Sequence, residues 1–125
     1  MKFIETKLNG VIVIEPEKIE DSRGFFARVW DKKKITSLGL NSELVQCSVS
    51  FNKKIGTFRG MHFQDTPYEE NKLVRCTKGK IFDIIVDLRP LSSTYKQWEG
   101  FELTEENHKM VYIPKGFAHG FLTLS

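Results

Sequence analysis

Two neighbouring stretches of the chain contain side chains that together could remove a proton and stabilise the negative charge left behind. Residues 58–64 include Arg59 and His62, and a second stretch begins at Lys72. Alternate residues of a strand share a face, so Arg59 and His62 meet in one cavity only if the strand bends at Gly60. A histidine base beside fixed cations suits proton abstraction next to a carbonyl, because the cations stabilise the enolate.

The same spacing also fits an ordinary strand. In that interpretation His62 is a buried histidine of the core, and Arg59 and Lys72 are surface cations. Spacing alone favours neither alternative.

The elements that must position these residues are mostly short strands. Runs rich in β-branched and aromatic residues, separated by turn residues, predict strands at 11–14, 24–30, 44–51, 72–76, 81–87, 98–103 and 109–113, with another beginning at 117. One helix is predicted over 31–38, with Asp31 as its N-cap and Gly39 near its end. The absence of alternating strands and helices excludes a Rossmann fold, and the pattern predicts an all-β antiparallel barrel or jelly roll.

Composition narrows the class of protein. A length of 125 residues predicts one domain, and 19 Lys and Arg against 16 Asp and Glu are too balanced for a nucleic-acid-binding surface. The polar N-terminus does not resemble a signal peptide, and no apolar run approaches the roughly 20 residues that span a bilayer. Two cysteines, Cys47 and Cys76, are predicted to be buried thiols in a reducing compartment. We therefore expect a cytoplasmic protein without a membrane or nucleic-acid partner.

Four motifs carry a resemblance to a known family. The segments RGFF (23–26), RGMHFQ (59–64), KLVR (72–75) and IPKGFAHGF (113–121) resemble, in order and spacing, those of the dTDP-4-dehydrorhamnose 3,5-epimerases. The resemblance covers residues 1–125 and implies a cupin-type jelly roll (double-stranded β-helix). It also implies an isomerase of dTDP-rhamnose and surface-polysaccharide biosynthesis. Such an enzyme epimerises a nucleotide-linked 4-keto-6-deoxy sugar at C3, C5 or both through an enolate.

The resemblance also implies roles for single residues. His62 corresponds to the catalytic base, and Lys72 to the residue beside the ketone oxygen. The substrate-binding positions are Arg59, Arg23 and His119 for the diphosphate, Phe26 for stacking near the base, and Gln46 and Ser48 on the nucleotide side. Two positions depart from the family, because Ser48 replaces a frequent asparagine and Arg28 a frequent glutamate. Asp83 faces either the cavity or solvent, and we favour solvent.

The family implies further properties of the assembly. Its members continue beyond the position that corresponds to Ser125, with strands that carry a catalytic tyrosine and an aspartate partner for the histidine. The resemblance thus predicts a single domain, 1–125, whose jelly roll lacks the family's C-terminal strands. Family members are homodimers that exchange N-terminal strands, and residues 1–6 alternate apolar and polar side chains as such a strand requires.

Two other functions remain as alternatives. One is a catalytically impaired or non-catalytic protein that binds a sugar nucleotide. The other is a metal-dependent cupin, which usually carries a histidine pair and a glutamate in its first motif, where this chain has His62 alone. We therefore predict no metal, and no organic cofactor, since the substrate ketone is itself the electron sink.

Overall fold

Ten antiparallel strands and one short helix make up the regular structure of the protein. The computed structural model describes residues 1–125. The strands are β1 (Lys2–Glu5), β2 (Ile12–Glu15), β3 (Lys18–Asp21), β4 (Gly24–Ala27), β5 (Phe58–His62), β6 (Lys72–Arg75), β7 (Lys80–Asp87), β8 (Trp98–Thr104), β9 (Met110–Ile113) and β10 (Phe117–Thr123), and the helix is α1 (Lys32–Ser37).

The strands form two four-stranded sheets and a separate hairpin. One sheet has the order β1-β2-β9-β6, the other has the order β5-β10-β7-β8, and β3 pairs only with β4. Every pairing is antiparallel. The crossing of the chain between the two sheets is the jelly-roll arrangement, so the all-β prediction is confirmed.

Alternation along the strands builds the main core between the sheets. In β7, Asp83, Ile85 and Asp87 are buried while their neighbours are only partly covered. Ile85 joins a cluster that draws on both sheets: Leu8, Val11, Val13, Leu103, Val111, Ile113 and Phe117. One face of β7 therefore points at the opposite sheet, and any polar residue on that face lies inside the molecule.

The single helix begins and ends as the sequence predicts. The Asp31 side chain caps α1 by accepting a hydrogen bond from the Lys34 backbone N–H at 3.2 Å, and Gly39 follows the helix with φ +76°. Ile35 is the buried residue of the helix and packs with Ile14, Met110 and Tyr112 on the outer face of the first sheet. At six residues, α1 is too short to cross a lipid bilayer.

Two strand predictions are corrected. Residues 44–51 form no strand, and no helix or strand occurs between residues 40 and 57. Val45 and Val49 are 87% and 91% exposed, so their β-branched side chains have no sheet to pack against, and β-propensity reflects such packing. The strand predicted at 24–30 ends at Ala27, where the hairpin with β3 ends.

Candidate functional site

His62 and His119 lie directly opposite each other on the neighbouring strands β5 and β10. The next matched pair is Arg59 with Phe121, so the register shifts between His119 and Phe121. Residues 119 and 121 share one face of β10, and the irregularity brings Arg59 and His62 to that same face although they are three positions apart. This is the bend that the sequence placed at Gly60.

Glycine makes this irregularity sterically feasible. Gly60 has φ +136°, and a Cβ built on it would lie 2.6 Å from the Cα of Gly120. A Cβ on Gly120 would lie 2.7 Å from the Met61 sulfur. The Gly60 contact is with backbone and leaves no room for a side chain, whereas at Gly120 the flexible Met61 side chain would have to move, so the close approach of β5 and β10 depends most strongly on Gly60.

His62 is exposed rather than buried, which contradicts its interpretation as a core histidine. It lines a shallow cleft together with Lys72, Glu69, Glu70 and Phe117. Lys72 is half-buried and lies opposite Ile113 in the ladder between β6 and β9, on the face that points into the sandwich. The structure thus brings the two sequence-predicted catalytic residues together at one opening between the sheets.

Asp83 is fully buried, so the expectation that it faces solvent is wrong. Asp83 lies on the inner face of β7, opposite to the face of Phe82 and Ile84. The sequence shows this alternation but does not reveal which of the two faces is inside. Asp83 Oδ1 lies 2.5 Å from Nε2 of His119. Burial raises the pKa of Asp83, while the hydrogen bond with His119 and the positive charges of His119 and Lys72 act in the opposite direction.

The surroundings of His119 engage one of its two ring nitrogens. The ring is nearly buried, it is engaged at Nε2 by a carboxylate, and it lies 6.4 Å from the Phe121 ring. The other ring nitrogen, Nδ1, has no hydrogen-bond partner in the protein and is not among the buried unpartnered atoms. This leaves Nδ1 as the nitrogen available to a ligand.

Arg59 is exposed at the rim of the site. Its Nε donates to Asn52 Oδ1 at 2.5 Å and its Nη2 to the Phe51 carbonyl at 3.4 Å, so the preceding loop directs the guanidinium. The remaining N–H groups are unpaired within the chain, and a guanidinium fork of this kind fits two phosphate oxygens.

The remaining predicted binding residues lie apart from the cleft. Arg23 and Phe26 are exposed on the β3–β4 hairpin, where Arg23 pairs with Asp21 at 2.6 Å and Phe26 is 63% exposed. Gln46 and Ser48 are exposed in the stretch without regular structure. None of the four lines the cleft or bonds to His62 or Lys72. The chain alone does not assemble the nucleotide side of the predicted site.

A polar cluster that the sequence patterns did not predict lies where β10 begins. Asp87 is fully buried and accepts hydrogen bonds from Arg89, Ser92 and Thr94. Although burial opposes it, these bonds hold the pKa of Asp87 well below its usual range. Arg89 also lies over the Phe117 ring, with its guanidinium carbon 4.4 Å from the ring centroid. The cluster fixes the turn that leads to one wall of the cleft, and its signal was an Asp-x-Arg pair directly after a strand.

The sequence also led to expectations about the two cysteines and about metal binding. Cys47 is exposed, contrary to the expected buried thiol, because it belongs to the unpaired stretch between residues 40 and 57. Cys76 is partly buried, and burial raises the pKa of its thiol. No group of three or more His, Cys, Asp or Glu side chains is placed to hold a metal ion.

This chain is similar in sequence to known proteins over nearly its whole length. A model of the dTDP-4-dehydrorhamnose 3,5-epimerase family matches residues 5–125. The epimerase of Methanothermobacter thermautotrophicus is 46% identical over 99% of this chain and 66% of its own length, and that of Sinorhizobium fredii is 44% identical over 99% and 64%. The chain thus spans just under two thirds of the length of these two relatives.

Solved structures agree in fold. The Bacillus anthracis dTDP-4-dehydrorhamnose 3,5-epimerase with TDP and PPi bound has a TM-score of 0.94 and 46% identity, over 98% of this chain and 70% of that one. The Legionella pneumophila enzyme in complex with dTDP-4-keto-L-rhamnose has a TM-score of 0.90 and 39% identity, over 99% of this chain and 65% of that one.

Proposed function

Because the chain belongs to the dTDP-4-dehydrorhamnose 3,5-epimerase family, we propose that it epimerises a nucleotide-linked 4-keto-6-deoxy sugar at C3, C5 or both. The observation that carries this proposal is the presence of His62 and Lys72 in one cleft between the sheets. The dTDP-4-keto-L-rhamnose bound in the Legionella structure supplies the ligand class, a nucleotide-linked 4-keto-6-deoxy sugar.

The proposed chemistry needs a base, a cation and a proton returned from the other face of the sugar. His62 is exposed in the cleft and takes the proton from the carbon beside the ketone. The Lys72 ammonium stabilises the enolate oxygen, where the negative charge develops. A water molecule reprotonates the carbon on the opposite face, which inverts it and restores the ketone, and His62 then releases its proton to solvent. Because the ketone accepts the electron pair, the step balances without an added oxidant or organic cofactor.

We infer that the nucleotide diphosphate binds along the rim beside this cleft. Arg59 has unpaired N–H groups there, and His119 offers Nδ1. Arg23, Phe26, Gln46 and Ser48 extend the proposed binding set, although they lie on other exposed segments. Arg28 and Ser48 differ from the usual family residues, and the reversed charge at Arg28 changes what the nucleotide side admits.

Exposed apolar side chains on the hairpin and on the following irregular stretch support a homodimer. Ile19 and Phe26 on the β3–β4 hairpin are 66% and 63% exposed, and the stretch between residues 40 and 57 exposes Val45, Val49, Phe51 and Ile55. We propose that a second copy covers these residues, which we call the hairpin–loop surface, and completes the nucleotide side. β1 pairs with β2 of its own chain, so strand exchange would have to replace that pairing or use the free edge of β1.

Solvent exchange tests the proposed function. The protein is incubated with dTDP-4-keto-6-deoxyglucose in heavy water, the sugar protons are followed by NMR, and binding is measured by calorimetry. Deuterium incorporation at C3 or C5 supports the proposal. Saturable binding without exchange would indicate the alternative function of a sugar-nucleotide-binding protein, and the absence of both would contradict the substrate class.

A further inference from the structure

We propose that Asp83 is a positioning residue of this site, with Oδ1 orienting the His119 ring and Oδ2 serving as the acceptor for the Lys72 ammonium. Its effect on catalysis rests on the proposed function, whereas the contacts themselves do not.

The first oxygen determines how His119 presents its nitrogens. Asp83 and His119 occupy diagonal positions of the β7–β10 ladder, because Asp83 lies opposite Phe121 and His119 lies opposite Ile85. Asp83 Oδ1 approaches Nε2 to 2.5 Å, so a neutral His119 carries its proton on Nε2. Nδ1 is then an acceptor for a substrate hydroxyl, and it becomes a donor to an anionic group when the ring is protonated. The carboxylate also stabilises that charged ring.

The second oxygen lacks a partner. Asp83 Oδ2 is buried and makes no hydrogen bond, which is costly for a carboxylate in the interior of a protein. Lys72 is half-buried on the inner face of β6, and its positive charge acts against the rise in the pKa of Asp83, although no ion pair joins the two residues. A lysine has a flexible four-carbon chain and three N–H donors, so rotation of the Lys72 side chain is the movement by which it would donate to Oδ2.

These contacts link the two sides of the proposed site. Asp83 is buried, and in this proposal it restrains a binding residue on β10 through Oδ1 and a catalytic residue on β6 through Oδ2. Replacing Asp83 with asparagine keeps the shape of the side chain and removes the charge. We expect His119 to lose its fixed tautomer and Lys72 to lose its acceptor.

Nitrogen NMR of the histidine rings tests the first contact without substrate. In the wild-type protein at a pH where His119 is neutral, we expect Nε2 to carry the proton, and in Asp83→Asn we expect a mixture of tautomers or a reversed one. Asp87→Asn is the matched control. Asp87 is a second buried carboxylate on the same face of β7, but it bonds to Arg89 and not to a histidine. A His119 tautomer unchanged by Asp83→Asn would overturn this part of the proposal.

A double-mutant cycle tests the second contact. Asp83→Asn and Lys72→Met are combined, and urea unfolding is measured for the wild type, both single variants and the double variant. We expect the two effects on the free energy of unfolding to be non-additive, because each variant removes the same interaction. Additive effects would overturn the pairing of Oδ2 with Lys72. Neither this cycle nor the NMR measurement requires turnover, so both report on Asp83 even if the proposed function fails.

Exchange kinetics test the consequence for the reaction. In Asp83→Asn we expect the rate of deuterium incorporation at saturating substrate to fall at least tenfold and the Michaelis constant to rise. Exchange in the wild type with an unchanged rate and Michaelis constant in Asp83→Asn would contradict a positioning role. If the wild type itself shows no exchange, the proposed function fails, and the two earlier measurements still decide whether Asp83 holds His119 and Lys72.

Discussion

Gly60 and Gly120 face each other across β5 and β10 so closely that a Cβ on Gly60 would lie 2.6 Å from the Cα of Gly120. This approach accompanies the register shift that brings Arg59 and His62 to one face of the sheet. The geometry of the proposed site therefore depends on two residues that have no side chain, and it is open to direct tests.

The first prediction concerns this glycine contact. Gly60→Ala should destabilise the protein by about 1–3 kcal/mol more than Gly24→Ala, because the new methyl group has no room. Gly24 is a matched control, since its φ of +138° is close to the +136° of Gly60 but no atom lies within 4 Å of its Cβ position. Urea unfolding of both variants measures the difference. Equal losses would show that backbone strain alone matters at Gly60.

The second prediction concerns the pH dependence of stability at Asp87. Its folded pKa lies below the unfolded value of about 3.9, so its stabilising contribution is present above that value and is lost as the pH falls toward the folded pKa. At pH 7, Asp87→Asn should cost about 2–5 kcal/mol, because Arg89 loses its charged partner. Urea unfolding of both proteins should show this difference shrinking below pH 4. If the difference in the free energy of unfolding did not change with pH, the lowered pKa of Asp87 would be contradicted.

The third prediction concerns phosphate recognition by Arg59. Arg59→Ala should weaken dTDP binding by roughly 10–100-fold, the loss expected for hydrogen bonds between charged groups. Arg75→Ala is the control, because Arg75 lies opposite Met110 and therefore faces the outer side of its sheet. Calorimetric titration with dTDP measures both variants. Equal affinities for the two variants would exclude Arg59 from the diphosphate site.

The fourth prediction concerns the hairpin–loop surface. The wild type should elute as a dimer at micromolar concentration, and Val49→Lys should shift it toward monomer, because a buried lysine opposes association. Leu91→Lys serves as control, since Leu91 is also fully exposed but lies in the turn between β7 and β8. Size-exclusion chromatography with light scattering gives the mass. A monomeric wild type, or a Val49→Lys variant that remains a dimer, would contradict the proposed interface.

Much of the fold followed from local patterns in the sequence. Asp31 predicted the start of the helix, and alternation predicted most strands of the two sheets. The strand predicted at 44–51 failed because propensity describes how residues fit a sheet, not whether a neighbouring strand is present.

The site was only partly predictable for a similar reason. The motifs identified His62 and Lys72, and the structure places both in one cleft. The pairing of Asp83 with His119 joins residues 36 positions apart, and alternation along β7 does not reveal which face is inside. The roles of the catalytic and the substrate-binding residues, the homodimer and a cytoplasmic location stay predictions.

The most direct test of the proposed function is the dependence of solvent exchange on His62. Deuterium incorporation at C3 and C5 of dTDP-4-keto-6-deoxyglucose is compared between the wild type, His62→Ala and His108→Ala, which removes a histidine in edge-to-face contact with Phe25 outside the cleft. We expect His108→Ala to exchange like the wild type and His62→Ala to lose at least about 100-fold in rate, as general-base catalysis predicts. Exchange at the wild-type rate in His62→Ala would contradict the proposed mechanism.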